Sequence, residues 1–208
     1  MQIRLRDPRL PVIRTKRLVL RDITVADISP AYIAWLNDPE TVKYLEIRFR
    51  RQPPDIVRKY IEDRLKDTIN SHHFGIYDQN GQRLVGTVTL PRINRRHGYA
   101  DISFVIGHPE ASGKGYASEA VHGICYYAFF HMGLTKLWGG YYEGHEASAR
   151  VFAKNGFSVE GCLRKKLLSY DGRRVDHILV GLLAEEFKPA EKYLGPIPPL
   201  VSIDEDVP

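Results

Sequence analysis

The turn Ser112-Gly113-Lys114-Gly115 is where residue type and spacing most directly suggest chemistry. It follows a run that alternates apolar and polar residues and leads into a helical pattern starting at Tyr116-Ala117. A glycine-rich turn at such a junction presents several backbone N–H groups at the positive end of a helix, which suits a phosphate or pyrophosphate. The spacing is neither GxGxxG nor GxxxxGK followed by Ser or Thr, so the dinucleotide fingerprint and the P-loop are excluded. A plain strand-to-helix turn that needs glycine for positive φ uses the same residues. Titratable side chains lie upstream. Asp101 sits on the strand that feeds the turn, on the face opposite Phe104 and Ile106, and Arg95 or Arg96 could pair with it. His97 and the pair His72-His73 have the ring pKa range for proton transfer near neutrality, though a surface turn and a strand end accommodate them equally well. Cys125 falls on the apolar stripe of a helix with no His/Asn partner set, which argues against a thiol nucleophile.

The elements that position these residues read as follows. Arg17–Arg21 alternates charged and apolar residues, as an edge strand does. Asp22 and Thr24 are N-cap candidates for a helix over 25–37, and Pro53-Pro54-Asp55 starts a second one. Strands are expected at 74–77 and 84–90, flanking the hairpin signal Asn80-Gly81, and at 99–106. A helix over 116–132 buries Ala117, Val121, Ile124, Cys125, Ala128 and Met132. A strand over 136–142 and a short helix over 146–155 follow. Strands at 157–169 and 173–183 then meet at Tyr170-Asp171-Gly172. The order is that of one α+β domain, a mixed twisted sheet of about six to seven strands flanked by about four helices. Residues 1–14 read as an arm, 15–187 as the domain and 188–208 as a Pro-rich tail. The tail is expected to be non-catalytic, a surface strap or the contact of a homodimer.

Composition narrows the classes. The chain has 208 residues, 43% of them hydrophobic and 26% charged, which excludes global disorder, collagen and coiled coil. No apolar run is long enough to span a membrane, and the N-terminus lacks the apolar core of a secretory signal. Two cysteines give neither a disulfide framework nor a CxxC pair, so no metal site and a cytoplasmic location are expected. The net charge of +5 is mild, and without a nucleic-acid-binding motif it makes a nucleic-acid partner a reading that rests on charge alone.

A set of short motifs carries a resemblance. In order they are Thr15–Arg21, Trp35-Leu36-Asn37-Asp38-Pro39-Glu40, Leu84-Val85-Gly86, Ala100-Asp101-Ile102, Gly113–Ala120, Ala147–Phe157 and Glu160-Gly161-Cys162-Leu163-Arg164. Together they resemble the GNAT superfamily of acetyl-CoA-dependent N-acetyltransferases. The closest likeness is to the branch with ribosomal-protein alanine, spermidine and amino-sugar acetyltransferases.

The resemblance implies acetyl-CoA as co-substrate. Its pyrophosphate would lie at Ser112, Gly113, Lys114, Gly115, Tyr116 and Ala117, and its pantetheine along Phe104, Val105 and Ile106, whose backbone N–H groups would serve the developing oxyanion. An alkyl amine is mostly protonated at pH 7, so a base must take its proton; Asp101 is the first candidate and His97 the second. Trp35, Glu40 and Tyr44 fall in the helical region that walls the acceptor, and Tyr141 and Glu143 end the strand beside the cleft. Three positions depart from the family pattern. Ser112 stands for a Gln or Arg, His145 for an Asn that contacts the cofactor, and Phe152 for a Tyr that protonates the leaving thiolate. Ser148 becomes the proton-donor candidate as well as a cofactor contact. The acceptor implied is a small-molecule primary amine, an amino sugar carrying phosphate or nucleotide charge being preferred over a bare polycation. A protein N-terminus and a degenerate acyl-CoA-binding module are the alternatives.

Overall fold

The computed structural model describes residues 11–194. Residues 1–10 of the expected arm and 195–208 of the expected tail lie outside this range. Strands are β1 (Ile13–Arg14), β2 (Leu18–Asp22), β3 (His72–Asp78), β4 (Leu84–Leu90), β5 (Tyr99–Asp101), β6 (Ser103–Ile106), β7 (Lys136–Tyr142), β8 (Ser158–Leu168) and β9 (Arg174–Leu183). Helices are α1 (Pro30–Leu36), α2 (Pro39–Val42), α3 (Pro54–Lys66), α4 (Tyr116–Tyr126), α5 (Glu146–Lys154) and α6 (Glu191–Leu194). The α+β class holds, with nine strands in two sheets among the described residues.

The first sheet has the order β1-β2-β3-β4-β6 and is antiparallel throughout. The second has the order β5-β7-β9-β8, with β5 parallel to β7 and the other pairs antiparallel. The strand expected over 99–106 is therefore two strands. Alternation continues unbroken through it, since Ala100 and Ile102 are buried and Phe104 and Ile106 pack on the same core. Pairing, however, changes partner at Ile102. Its N–H donates to Trp138 O at 2.8 Å, and from Ser103 onward the chain pairs with β4 instead. The sheets share one chain segment and diverge from that residue.

Local chemistry sets the other boundaries. The helix expected over 25–37 is a 3-10 turn at Val25–Asp27 and then α1, because Pro30 takes the first helical position and Ser29 Oγ accepts from Tyr32 N at 3.1 Å. Asp38 caps α2 in the same way, accepting from Thr41 N at 2.9 Å with Pro39 behind it. Ile13 pairs with Leu20 and is fully buried, so ordered structure begins inside the segment read as an arm.

The main core lies between the sheets and α4, and a smaller one joins Ile23, Tyr32, Trp35, Val57 and Ile61 beneath α1 and α3. Helix α4 carries more than an apolar stripe, because every residue from Ser118 to Cys125 is buried. Its outer side is covered by the two ends of the described chain. A Cβ at Gly123 would lie 2.9 Å from Thr15 Cγ2, and the rings of Phe187 and Tyr193 lie 4.8 and 4.9 Å from that of His122. His122 Nε2 accepts from Ala190 N at 3.0 Å, so Nδ1 carries the proton toward Asn155 Oδ1. Lys16 N donates to Tyr193 O at 2.8 Å, and Leu194 is buried. The start of the tail is thus docked. Truncation after Phe187 should lower Tm by roughly 4–8 °C in calorimetry, from about 2 kcal/mol lost with the burial of Leu194 and the His122 bond.

Candidate active site

The divergence at Ile102 creates the cleft. In the β4–β6 ladder Gly107 N donates to Val85 O, which makes 85/107, 87/105 and 89/103 the mutually bonded pairs. The peptide groups of Phe104 and Ile106 then point away from β4, toward β7. In the β7–β9 ladder Glu143 N donates to Asp176 O, so 141/178 and 139/180 are the bonded pairs. The Gly140 peptide group and the Tyr142 N–H then point toward β6, while Tyr142 O accepts from His145 N at 2.9 Å. Two unpaired strand edges face one another from Ile102 outward, a slot that an amide-bearing chain such as pantetheine can enter by strand-like hydrogen bonds. The slot's floor is apolar. The ring of Phe152 lies 5.4 Å from Phe104 and 6.2 Å from Tyr141, and a Cβ at Gly139 would approach it at 3.1 Å. Phe152 is a floor residue here and carries no proton.

The glycine turn lies beyond β6, at the N-terminus of α4. Gly113 and Gly115 have φ of +72° and +78°, the left-handed region that glycine alone enters freely. Gly115 is the N-cap of α4 and no side chain caps it, so the first N–H groups of the helix are available to an anion. Ser112, Lys114 and Tyr116 border the turn as expected. Arg17 was not expected there. Its Nε donates to Glu119 Oε2 at 2.6 Å, its Nη1 to Lys114 O at 2.9 Å, and its guanidinium lies 4.9 Å from the Tyr116 ring centre. Glu119 is fully buried and also accepts from Thr15 Oγ1 at 2.7 Å and Arg17 N at 2.6 Å. From the bend before β2, Arg17 braces the turn and brings a half-exposed cation to the place where Ser112 leaves the loop without a long donor. Its partners lie from 97 to 102 positions away in sequence, so only a pairing of the Arg17-Leu18 and Ser118-Glu119-Ala120 motifs could have revealed it. Arg17→Ala should raise the Kd for CoA at least about tenfold, measured by calorimetry, through loss of charge-assisted bonds.

Asp101 sits at the apex of the cleft, one residue before Ile102 and opposite Trp138. Its partner is Arg92, neither Arg95 nor Arg96. Arg92 takes φ of +56°, unusual for a non-glycine residue, and its guanidinium also lies 5.4 Å from the Trp138 ring centre. Burial raises the Asp101 pKa to about 6, against the opposing pull of Arg92. A carboxylate of that pKa accepts a proton readily near neutrality.

Helix α5 and the end of β7 form the far wall. Ser148 is buried on the inner face of α5 with Phe152. His145 stacks on Tyr44 at 4.0 Å between ring centres, and burial lowers its pKa to about 4. Its ring thus belongs to the Tyr44 wall. Tyr142 is a further wall residue that sequence inspection missed. Its hydroxyl donates to Glu46 Oε1 and accepts from Arg48 Nη1 at 3.0 Å. Lys43 Nζ lies 4.3 Å from the Tyr170 ring centre.

Other expected residues fall elsewhere. His97 is exposed on the turn that precedes β5, bonded through its N–H to Asn94 Oδ1, at the end of the strand away from the divergence. The structure does not bring it to the cleft. His72 and His73 are buried at the start of β3, where burial lowers both pKa values to about 4. Trp35 is buried in the smaller core over Gly107, where a Cβ would overlap its ring, so it supports the end of β6. Glu40 is exposed and pairs with Lys43 at 3.6 Å. Glu143 Oε2 accepts from Asp176 N at 3.0 Å, which ties β7 to β9. Cys125 is fully buried, and burial pushes its thiol pKa up, consistent with a packing role. Among the described residues no group of three or more His, Cys, Asp or Glu side chains could hold a metal ion, and no helix is long and apolar enough to cross a membrane.

Known proteins share this architecture. A family model described as an Acetyltransferase (GNAT) domain matches residues 17–158. The uncharacterized N-acetyltransferase YoaA of Bacillus subtilis (strain 168) is 30% identical over 157 residues, 74% of this chain and 87% of its own. The spermidine N(1)-acetyltransferase of Escherichia coli (strain K12) is 34% identical over 105 residues, 47% of this chain and 54% of its own. The solved ribosomal-protein-S5-alanine acetyltransferase from Vibrio fischeri superposes with a TM-score of 0.72 at 22% identity, covering 86% of this chain and 99% of that one. That last likeness speaks for the fold alone. The family model, which spans both the glycine turn and the diverging strands, places the chain in the GNAT family and makes it an acetyl-CoA-dependent acyltransferase.

Proposed function

We propose that the protein transfers an acetyl group from acetyl-CoA to a primary amine on a small molecule, with an amino-sugar derivative as the favoured class. The observation that carries this reading is the slot between β6 and β7, which runs from Asp101 at its apex toward the braced glycine turn beyond β6. The turn and Arg17 would hold the pyrophosphate, and the edges at Phe104, Ile106 and Gly140 would hold the pantetheine. Asp101 would accept the amine's proton, directly or through water. Phe152 offers no proton to the departing thiolate. A thiol of pKa near 8.5 leaves partly as thiolate, so Ser148 is assigned a supporting part.

The acceptor wall supports a small, polar substrate. Aromatic rings of Tyr44, Tyr142 and Tyr170 stand together there, with Lys43 and Arg48 among them. A bare polyamine calls for a strongly acidic pocket, and on this wall the Glu46 carboxylate stands against the cations Lys43 and Arg48. The test is an acetyl-CoA turnover screen over amino-sugar nucleotides, polyamines, aminoglycosides and N-terminal peptides. Highest kcat/KM on an amino sugar is the expected result, and a peptide exceeding every amino sugar would overturn the choice.

A further inference from the structure

A cavity of about 430 Å³ opens beside this wall, between the segment 36–51 and the β8–β9 hairpin. Four cations line it, Lys43, Arg48, Arg50 and Arg51, together with Ser169 and Tyr170, and no acidic residue does. The nearby carboxylates are already engaged. Glu46 accepts from Tyr142, and Asp171 accepts from Ser169 and pairs with Arg173. Glu40 is held at 3.6 Å from Lys43, leaving the three arginines without an acidic partner among the described residues.

The arginine-bearing turn is held in place from below. Gln52 is buried, and both of its amide N–H bonds go to the turn, to Ile47 O at 3.1 Å and Arg50 O at 3.0 Å. Its backbone is clamped in turn by Asn37. Asn37 Nδ2 donates to Gln52 O and Gln52 N donates to Asn37 Oδ1, each at 2.9 Å. Arg48 then joins the turn to both neighbours, donating to Tyr142 Oη at 3.0 Å and to Leu168 O. One buried amide, clamped by the exposed Asn37, thus fixes the shape of a turn whose outward side chains are Phe49, Arg50 and Arg51. Such fixing lowers the ordering cost of binding, and fork-shaped guanidinium groups suit the oxygens of a phosphate.

We infer that this cavity is an anion subsite for the acceptor, which takes a phosphate or diphosphate group on the molecule that carries the amine. The inference rests on the acetyl-transfer reading for the amine end alone. Arg48 touches both the cavity and Tyr142, whose backbone borders the cleft, so one molecule can engage the cavity and reach the cleft. Polyamines would meet four like charges here and be repelled.

The cavity is testable without knowing the acceptor. Protein saturated with CoA, which occupies the glycine turn, is titrated with inorganic pyrophosphate by calorimetry at constant ionic strength. The parent is expected to bind, and the double variant Arg50→Ala/Arg51→Ala is expected to bind at least about tenfold more weakly, a difference of about 1.4 kcal/mol. Equal affinity in parent and variant, or no binding in the parent, overturns the inference. Both arginines are exposed, so the fold is expected to survive their loss, and a thermal melt of the variant checks this. In a second arm, kcat/KM is measured for glucosamine, glucosamine 6-phosphate and spermidine. Preference for the phosphorylated amine that falls about tenfold in the double variant supports the inference. Preference for spermidine overturns it. A parent that fails to bind CoA, but whose pyrophosphate affinity still falls in the double variant, would instead sink the acetyl-transfer reading and leave the cavity standing.

Discussion

Asp101→Asn is expected to lower kcat by roughly 10²-fold or more, the usual scale of a lost general base, with the Kd for acetyl-CoA nearly unchanged. The pH profile carries the sharper information. Asp101 has its pKa raised to about 6, so its proton-accepting form fills as pH rises through that value. The parent's kcat/KM should therefore climb between pH 5 and 7, and the variant should lose that limb. Arg92 favours the ionised form, so Arg92→Ala should move the limb to higher pH. Stability should move the opposite way from activity. A carboxyl with a folded pKa above its unfolded one favours the folded state below about pH 4 and loses that contribution as pH rises through 6. At pH 8 its ionised form costs up to about 3 kcal/mol, so Asp101→Asn should melt no lower than the parent there. A carboxylate kept only for its pairing with Arg92 would show the reverse: full turnover from pH 6 to 9 and a lower Tm.

Gly115→Asp is expected to weaken CoA binding by two orders of magnitude or more, read by calorimetry, and two causes act together. The residue has φ of +78°, where a side chain costs about 1–2 kcal/mol. There is space for the new Cβ, and the nearest atom is Arg17 Nη2 at 3.6 Å. The introduced carboxylate would therefore sit against the Arg17 guanidinium and occupy the position proposed for phosphate. Gly115→Ala separates the two effects, since it brings the backbone cost without the charge and should weaken binding far less. Unchanged affinity in the Asp variant would remove the pyrophosphate from this turn.

What the sequence reveals follows from how far each cause reaches along the chain. The glycine turn was legible because its requirement is local, a left-handed backbone at a strand-to-helix junction, and Gly113 and Gly115 state it directly. The end expected for the first helix, at residue 37, was legible too, and Asn37 is the C-cap of α1. The division of 99–106 was not. Side chains keep their alternation through Ile102, and only the change of hydrogen-bonding partner, which neighbouring strands decide, opens the cleft. Arg92 as partner of Asp101 was missed because it depends on a left-handed arginine, against that residue's usual preference. His97 shows the converse failure, with a suitable side chain at the wrong end of its strand. Arg48 and Tyr142 meet across 94 positions, a contact with no local signal.

The brace on the glycine turn has a kinetic consequence. Arg17 and Glu119 are 102 residues apart, and Lys16 closes on Tyr193 further still. Loops of that length are slow to close, and contacts across them form late on the path to the native state. During synthesis the N-terminal strand waits until α4 has emerged before its bond to Glu119 can form. Recovery of CoA affinity in a refolding experiment should consequently lag behind the formation of the β3–β4 hairpin, whose partners are close in sequence.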